Sequence, residues 1–404
     1  MNKKRVGAWA LFDFANSVYP AVMTTAVFPV FFVLTVVGSE GGDGELWWGR
    51  AVSISALIVA MSSPLLGAIA DRGGARKKFM LFYTAVCLIG VAMMSTLGEG
   101  MVIKGVILFV IANVGFESAL VFYNAYLPDI APPDKRGWVS GLGFGVGYLG
   151  SALGLILALQ FVHRIELVWF LVAVFFFVFS IPTFLILPED EKTNMTVIQA
   201  ARWGFSSFRS IVREVWKLKD LRNFLIAFFF YIDGVLTIII MAGVVATGTF
   251  GFDQDGTIVL FLIVQFSALI GAFALAKPTD RYGPKKVLNG VLGLWIVASI
   301  SVFFVQDQTL FYGLAVVAGL GLGSAQAASR AFISTLIPVG KEAEMFGFYA
   351  LCGKSSSVVG PTLFGYATYW AGGNQRPGFL LVAAMFIIGL VLLQRVSDPT
   401  AAEG

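Results

Sequence analysis

Charge is scarce in this chain, at 13% of 404 residues, where soluble domains carry roughly a quarter. With 58% of residues hydrophobic and a mean hydropathy of +0.84, too few polar groups remain to coat a water-facing surface. A soluble protein of two or three domains is excluded. Cysteine is limited to Cys87 and Cys352, both inside apolar runs, which argues against a disulfide framework. A single histidine, His163, sits in a short loop with Arg164 and Glu166. It leaves almost no material for a metal cluster or a Ser-His-Asp site. No Gly-x-x-x-x-Gly-Lys-(Ser/Thr) string occurs, so ATP-driven chemistry is not expected. Neither an enzyme, a resident cofactor nor a nucleic-acid partner is expected.

What the chain does hold is 38 Phe, 45 Gly and long apolar runs. These fall at about 6–37, 47–70, 79–98, 102–127, 138–161, 166–187, 222–249, 256–276, 287–305, 309–337, 344–370 and 377–394. Each is long enough to cross a ~30 Å hydrocarbon layer as a helix. Lys3, Lys4 and Arg5 precede the first run, which has no small-residue cleavage site and reads as a retained first helix. Counting Lys and Arg in alternate loops places 22 on one side and four (Arg50, Lys104, Arg164, Arg376) on the other. That bias predicts cytoplasmic termini.

The longest polar stretch divides six runs from six, giving bundles 1–187 and 222–404 joined by a linker, 188–221. Inside the linker Ile198, Ala201, Phe205, Phe208, Val212 and Val215 recur at steps of three and four. Arg202, Arg209, Arg213 and Lys217 take the other faces, with Trp203 and Trp216 alongside. An amphipathic helix lying in the membrane interface is predicted. It reads first as a strap between the halves, and alternatively as a lipid-sensing or gating element.

A weak repeat supports the six-plus-six division. Residues 71–77 and 280–286 both read Asp-Arg-x-Gly-x-(Arg/Lys)-Lys, beginning at Asp71 and Asp280, 209 residues apart. Pro128 and Pro338 close the fourth and tenth runs at an offset of 210. The first copy resembles the loop signature of the major facilitator superfamily, Gly-x-Leu-Ala-Asp-Arg-x-Gly-Arg-Lys, with Ala75 where that pattern has a basic residue. Further strings are Trp9-Ala-Leu-Phe-Asp13-Phe-Ala-Asn16-Ser17, Phe122-Tyr-Asn124-Ala-Tyr-Leu-Pro128, Gln326-Ala-Ala-Ser329-Arg330 and Gly353-Lys354-Ser-Ser-Ser-Val-Val-Gly360-Pro361. Together they resemble the vacuole-effluxer-like group of that superfamily. The resemblance implies an all-α membrane protein of twelve helices in two pseudo-symmetric six-helix bundles. It also implies a monomeric rocker-switch carrier in a bacterial inner membrane, and its fungal members imply amino-acid efflux. Asp71, Arg72, Arg76, Asp280 and Arg281 would form a cytoplasmic gate. A carboxylate at the end of helix 2 can accept hydrogen bonds from a neighbouring helix N-terminus.

Five ionisable residues fit no loop, tail or helix end: Asp13, Glu117, Asp233, Arg330 and Lys354. At 1.5 Å per residue each lies roughly 12–16 Å from its cytoplasmic end, close to the midplane. Charge there costs about 2.5–3.5 kcal/mol by insertion scales and calls for a partner, a cavity or a substrate. Helical spacing adds Asn16 beside Asp13, Asn113 and Asn124 on the stripe of Glu117, and Gln326 with Gly319 and Gly323 on that of Arg330. A binding cavity between the halves is expected at that depth. Helix 5, rich in glycine (Gly143, Gly147, Gly150, Gly154), suits close helix packing. These groups suggest a proton-coupled carrier of a small charged or zwitterionic organic solute, amino acids being the first guess. A multidrug or lipid-like amphiphile exporter, and a non-transporting sensor or scaffold, are the alternatives.

Overall fold

The computed structural model describes residues 1–38, 43–161, 163–190, 193–357 and 359–397. Lys192 of the linker and Val358 of the Gly-Lys-Ser string lie outside them. Every described element is helical. The main helices are α1 (Lys3–Asn16), α2 (Asp43–Arg72), α3 (Arg76–Met93), α4 (Val102–Ala125), α5 (Arg136–Gln160), α6 (Ile165–Ile186) and α7 (Val197–Lys217). They continue as α8 (Lys219–Phe250), α9 (Gln254–Ala274), α10 (Pro284–Phe304), α11 (Gln308–Leu336), α12 (Glu342–Ser356), α13 (Val359–Trp370) and α14 (Arg376–Leu393). Short polar residues start several of them. Asn2 accepts from the Lys4 amide at 3.0 Å, Asp253 from Gly256 at 2.8 Å and Asp307 from Thr309 at 3.0 Å, each taking an otherwise orphaned donor.

Eleven helices among the described residues are long and apolar enough to cross a membrane. The eleventh apolar run, 344–370, is covered by two helices, α12 and α13, with Ser357 in a turn and Val358 outside the described residues. The first pass is also irregular. It runs Lys3–Val37 but rewinds into π-helical turns at Pro20–Ala26 and Phe32–Val37. Pro20 and Pro29 lack the amide that a regular turn needs.

The chain forms two compact units. One comprises Met1–Ile130, Val146–Ser206 and Val339–Gly347; the other comprises Ala131–Gly145, Ser207–Pro338 and Phe348–Gly404. In the first, Tyr123 stacks on Trp9 at 4.6 Å and on Phe12 at 5.0 Å between ring centroids, and the Trp9 indole donates to the Tyr123 carbonyl at 3.0 Å. Gly147 faces Ser17, Gly150 the carbonyl of Phe14, and Gly154 the side chain of Val18, so α5 lies tight along the first pass. In the second unit Gly319 and Gly323 of α11 face Ser267 and Ala268 of α9. Those two glycines serve helix packing rather than a cavity lining. The Ser324 hydroxyl donates to the Gly271 carbonyl at 2.9 Å across the same contact.

The linker helix α7 has two apolar strips where the sequence suggests one. Ala200, Gly204, Ile211 and Val215 are buried, while Ile198, Phe205, Phe208 and Trp216 are exposed.

Candidate functional site

Three aspartates hold helix N-termini. In the first unit Asp71, at the end of α2, accepts from the backbone amides of Ala343 (3.1 Å) and Glu344 (2.8 Å) in the first turn of α12. The carboxylate thus meets the positive end of a helix dipole as well as two donors. The approach needs glycine on both sides. A Cβ on Gly67 would strike the Ala343 carbonyl, and one on Gly347 would strike the Ser63 carbonyl. In the second unit Asp280 does the same for α5, accepting from Gly137 at 2.6 Å and Trp138 at 2.9 Å.

The basic residues of the two repeats diverge. Arg76 gathers acids: its guanidinium lies 2.7 Å from Asp129, 3.1 Å from Asp190 and 3.7 Å from Glu342. Lys77 donates to Glu189 at 2.6 Å and, through its backbone amide, to Asp190 at 2.9 Å. Lys285, at the position of Arg76 in the second copy, instead donates to the carbonyls of Gln394 (3.1 Å) and Val396 (2.6 Å). It stabilises the C-terminal end of α14. Arg72 stacks over the Trp203 ring of α7 at 3.7 Å. Arg281 is exposed and lies over its neighbour Tyr282 at 5.3 Å.

The third aspartate lies deep in the second unit. Asp233 of α8 is 2% exposed and accepts from the Gly360 amide at 2.9 Å, at the start of α13. The Thr237 hydroxyl donates to the Asp233 carbonyl at 2.7 Å. A Cβ on Gly360 would overlap the Thr237 hydroxyl and come 2.5 Å from the Asp233 carboxylate. Asp233 therefore holds the first turn of α13.

Arg330 of α11, also 2% exposed, donates to the Ser140 hydroxyl at 3.0 Å and the Ser140 carbonyl at 2.8 Å. Its guanidinium covers the Phe144 ring at 4.0 Å. Ser140 in turn donates to the Ala327 carbonyl at 2.8 Å. Gln326 and Lys354 are partly exposed in the same unit. The Lys354 carbonyl accepts from the Ser357 hydroxyl at 2.9 Å, at the helix break.

The remaining candidates belong to the first unit. Asp13 and Asn16 are buried on α1, and Asn124 of α4 is partly exposed. Asn113 donates to the Ser55 hydroxyl at 2.9 Å, joining α4 to α2. Glu117 is partly exposed and lies close enough to the Tyr19 hydroxyl and the Cys87 thiol to act on both electrostatically. Tyr19 stacks on Phe116 at 4.6 Å. Among the described residues the Tyr19 hydroxyl, Asn16 Nδ2, Thr84 Oγ1 and Ser118 Oγ are buried without a protein partner. Thr84 is one turn before Cys87, and Ser118 follows Glu117. Buried polar groups ordinarily find partners, so these atoms of the first unit have hydrogen-bonding capacity to spare.

Residues 50–403 match the family described as "Vacuole effluxer Atg22 like". The chain belongs to this family. It is 29% identical to an MFS-type transporter of Bacillus subtilis, YxiO, over 99% of this chain and 96% of that protein. It is 26% identical to autophagy-related protein 22 of Coccidioides immitis, over 96% of this chain and 78% of that one. Its fold resembles the human organic anion transporter MFSD10, with a TM-score of 0.80 and 14% identity over 98% of this chain and all of the other. It also resembles the proton:xylose symporter XylE, with a TM-score of 0.76 and 14% identity over 98% and 96% of the two chains. The chain is thus a membrane transporter of the major facilitator fold.

Several partners in this effluxer-like protein escape sequence reasoning. Asp129, Asp190 and Glu342 read as ordinary loop acids until Arg76 reaches them. Ser140 and Phe144 sit on a glycine-rich helix whose pattern suggests packing alone. Tyr19 and Cys87 look like core residues. The Asp-Arg-x-Gly repeat and the intramembrane charge of Asp233 are the signals that do point to their sites.

Proposed function

We propose that this transporter works by alternating access on a small charged or zwitterionic organic solute, coupled to protons, with amino acids as the first class to test. The observation that carries this reading is Glu117, a carboxylate within an apolar helix and within electrostatic reach of the Tyr19 hydroxyl, in a unit where that hydroxyl and several other buried hydroxyl and amide groups lack protein partners. Such a set suits a polar solute or proton exchange. Glu117 and Asp233 are the two acids proposed to carry the proton; Asp233 accepts from the Gly360 amide in this conformation. Arg330, whose guanidinium donates to Ser140 in this conformation, is proposed to exchange that contact for a substrate carboxylate.

Asp71 and Asp280 act in this reading as latches. Their helix-capping contacts hold one conformation and are released in another. Cytoplasmic termini and a bacterial cytoplasmic membrane accompany the reading, the Bacillus relative supporting the location.

Proteoliposomes with an imposed pH gradient test it. Glu117→Gln is expected to abolish pH-driven accumulation while preserving substrate counterflow. Undiminished accumulation in that variant would remove the proton role. The substrate class is tested by thermal stabilisation of the purified protein with amino acids, dipeptides, sugars and amphiphiles. Stabilisation by an amino acid that is lost in Arg330→Ala supports the proposed anchor.

A second reading, export of a multidrug or lipid-like amphiphile, is supported by an apolar cavity of about 60 Å³ in the second unit. Ile238, Leu260, Val264, Trp295 and Phe311 line it, and no charged residue does. Stabilisation by amphiphiles alone in the same screen selects it.

A further inference from the structure

We infer that α7 is a docking site for anionic phospholipid headgroups, and that it passes their binding to the Asp71 loop through Trp203. Three faces of the helix carry the argument. At 100° per residue, buried Ala200, Gly204, Ile211 and Val215 form one strip. The exposed apolar residues Ile198 (69%), Phe205 (71%), Phe208 (38%) and Trp216 (55%) form a second, roughly 100° around the axis from the first. Exposed Arg202, Arg209, Arg213 and Lys217 form a third, roughly 80° beyond the second. The only acid of α7, Glu214, projects on the side away from the apolar strip.

An uncovered apolar strip flanked by four cations matches the surface of an anionic leaflet. Phe, Ile and Trp enter the headgroup boundary while Arg and Lys meet phosphate. A neutral bilayer would satisfy only the apolar strip. The row of cations therefore selects an anionic surface, at about fivefold in affinity for each cation near the lipid.

The N-terminal half of α7 rests on the Asp71 loop. Arg72 stacks over Trp203 at 3.7 Å. A Cβ on Gly73 would lie 3.5 Å from Val197 and 3.6 Å from Ala200, and one on Gly204 would lie 3.0 Å from Ile69. One residue before Arg72, Asp71 holds the amides of Ala343 and Glu344. A lipid surface that fixes α7 steadies Arg72, and with it the Asp71 cap on α12. The lipid site stands on its own. Only a gating role for the Asp71 cap rests on the transport reading above.

The test is hydrogen–deuterium exchange of the full-length protein in nanodiscs of pure phosphatidylcholine, and of phosphatidylcholine with an equal share of phosphatidylglycerol. Phosphatidylglycerol is expected to slow exchange across 197–217 and, by about threefold or more, at the amides of Ala343 and Glu344. Arg202→Gln/Arg209→Gln/Arg213→Gln/Lys217→Gln is expected to erase both effects. Trp203→Ala should keep the first and lose the second. Equal exchange across 197–217 in the two lipids overturns the docking site. Protection that persists in the four-charge variant overturns the role of the cations. Lipid-dependent protection at 343–344 that survives Trp203→Ala overturns the route. Asp71→Ala, which should expose 343–344 in either lipid, separates loss of the cap from loss of lipid binding.

Discussion

At the scale of single residues, aspartate is used here less as a charge than as an acceptor with a place to be. Asp233 is the case with the least freedom, buried within α8 with one oxygen committed to the Gly360 amide. Gly360 has no room for a side chain, because Thr237 and Asp233 fill the space a Cβ would take. Gly360→Ala is therefore expected to destabilise by about 1–3 kcal/mol, as overpacking does in a filled core. A lowered melting midpoint of the purified protein checks this. Gly365, five residues on in the same helix, has open space around it. Gly365→Ala should be neutral or stabilising by up to about 1 kcal/mol, from helix propensity. Equal loss in both variants would mean that α13 tolerates no alanine, and that the Asp233 contact is incidental.

At the scale of helices, one device appears twice, with Asp71 capping α12 and Asp280 capping α5. Replacing an N-terminal acceptor typically costs about 0.5–2 kcal/mol. Asp71→Ala should thus raise the opening equilibrium of the first turn of α12 about 2- to 30-fold, read as faster exchange at Ala343 and Glu344. The Gly137 and Trp138 amides, held by Asp280, should not change. Faster exchange at both places would show that the caps open together.

The repeat of Asp-Arg-x-Gly made both aspartates legible in the sequence, since each stands at the end of an apolar run ahead of a glycine and paired cations. Their partners were not, because Asp71 and Ala343 lie 272 positions apart and a helix's first amides have no side-chain signature. The same holds for Arg76, whose acids come from separate loops. The turn at Ser357 in the eleventh pass is hidden for another reason. Ser355, Ser356 and Ser357 sit in an otherwise apolar run, and serine tolerates helix and turn alike. The π-helical first pass is foreshadowed by Pro20 and Pro29, although proline alone cannot say whether a helix kinks, ends or rewinds.

At the scale of the whole molecule, the uneven placement of Lys and Arg predicts orientation. The 22 cations of one set of loops against four of the other should hold the former in the cytoplasm, since positively charged short loops resist translocation. Labelling with a membrane-impermeant maleimide tests this in a variant with Cys87 and Cys352 replaced by serine. Single cysteines at Glu99 and Asn374, exposed between α3 and α4 and between α13 and α14, should react in intact cells. Cysteines at Ser210 and Lys277, exposed on α7 and after α9, should react only once the membrane is opened. The four sites lie in the regions after the third, eleventh, sixth and eighth passes. A missed or extra crossing after the third pass would therefore move the later sites to the wrong side while leaving Glu99 in place, whereas a reversed orientation would exchange all four. The irregular first pass and the eleventh, described as α12 and α13, are the two places where the count could fail. Glu99 reports on the first, because only an odd number of crossings before it puts it outside. Ser210 and Asn374 report on opposite sides of the eleventh pass and its neighbours, so correct labelling of both requires α12 and α13 together to cross once.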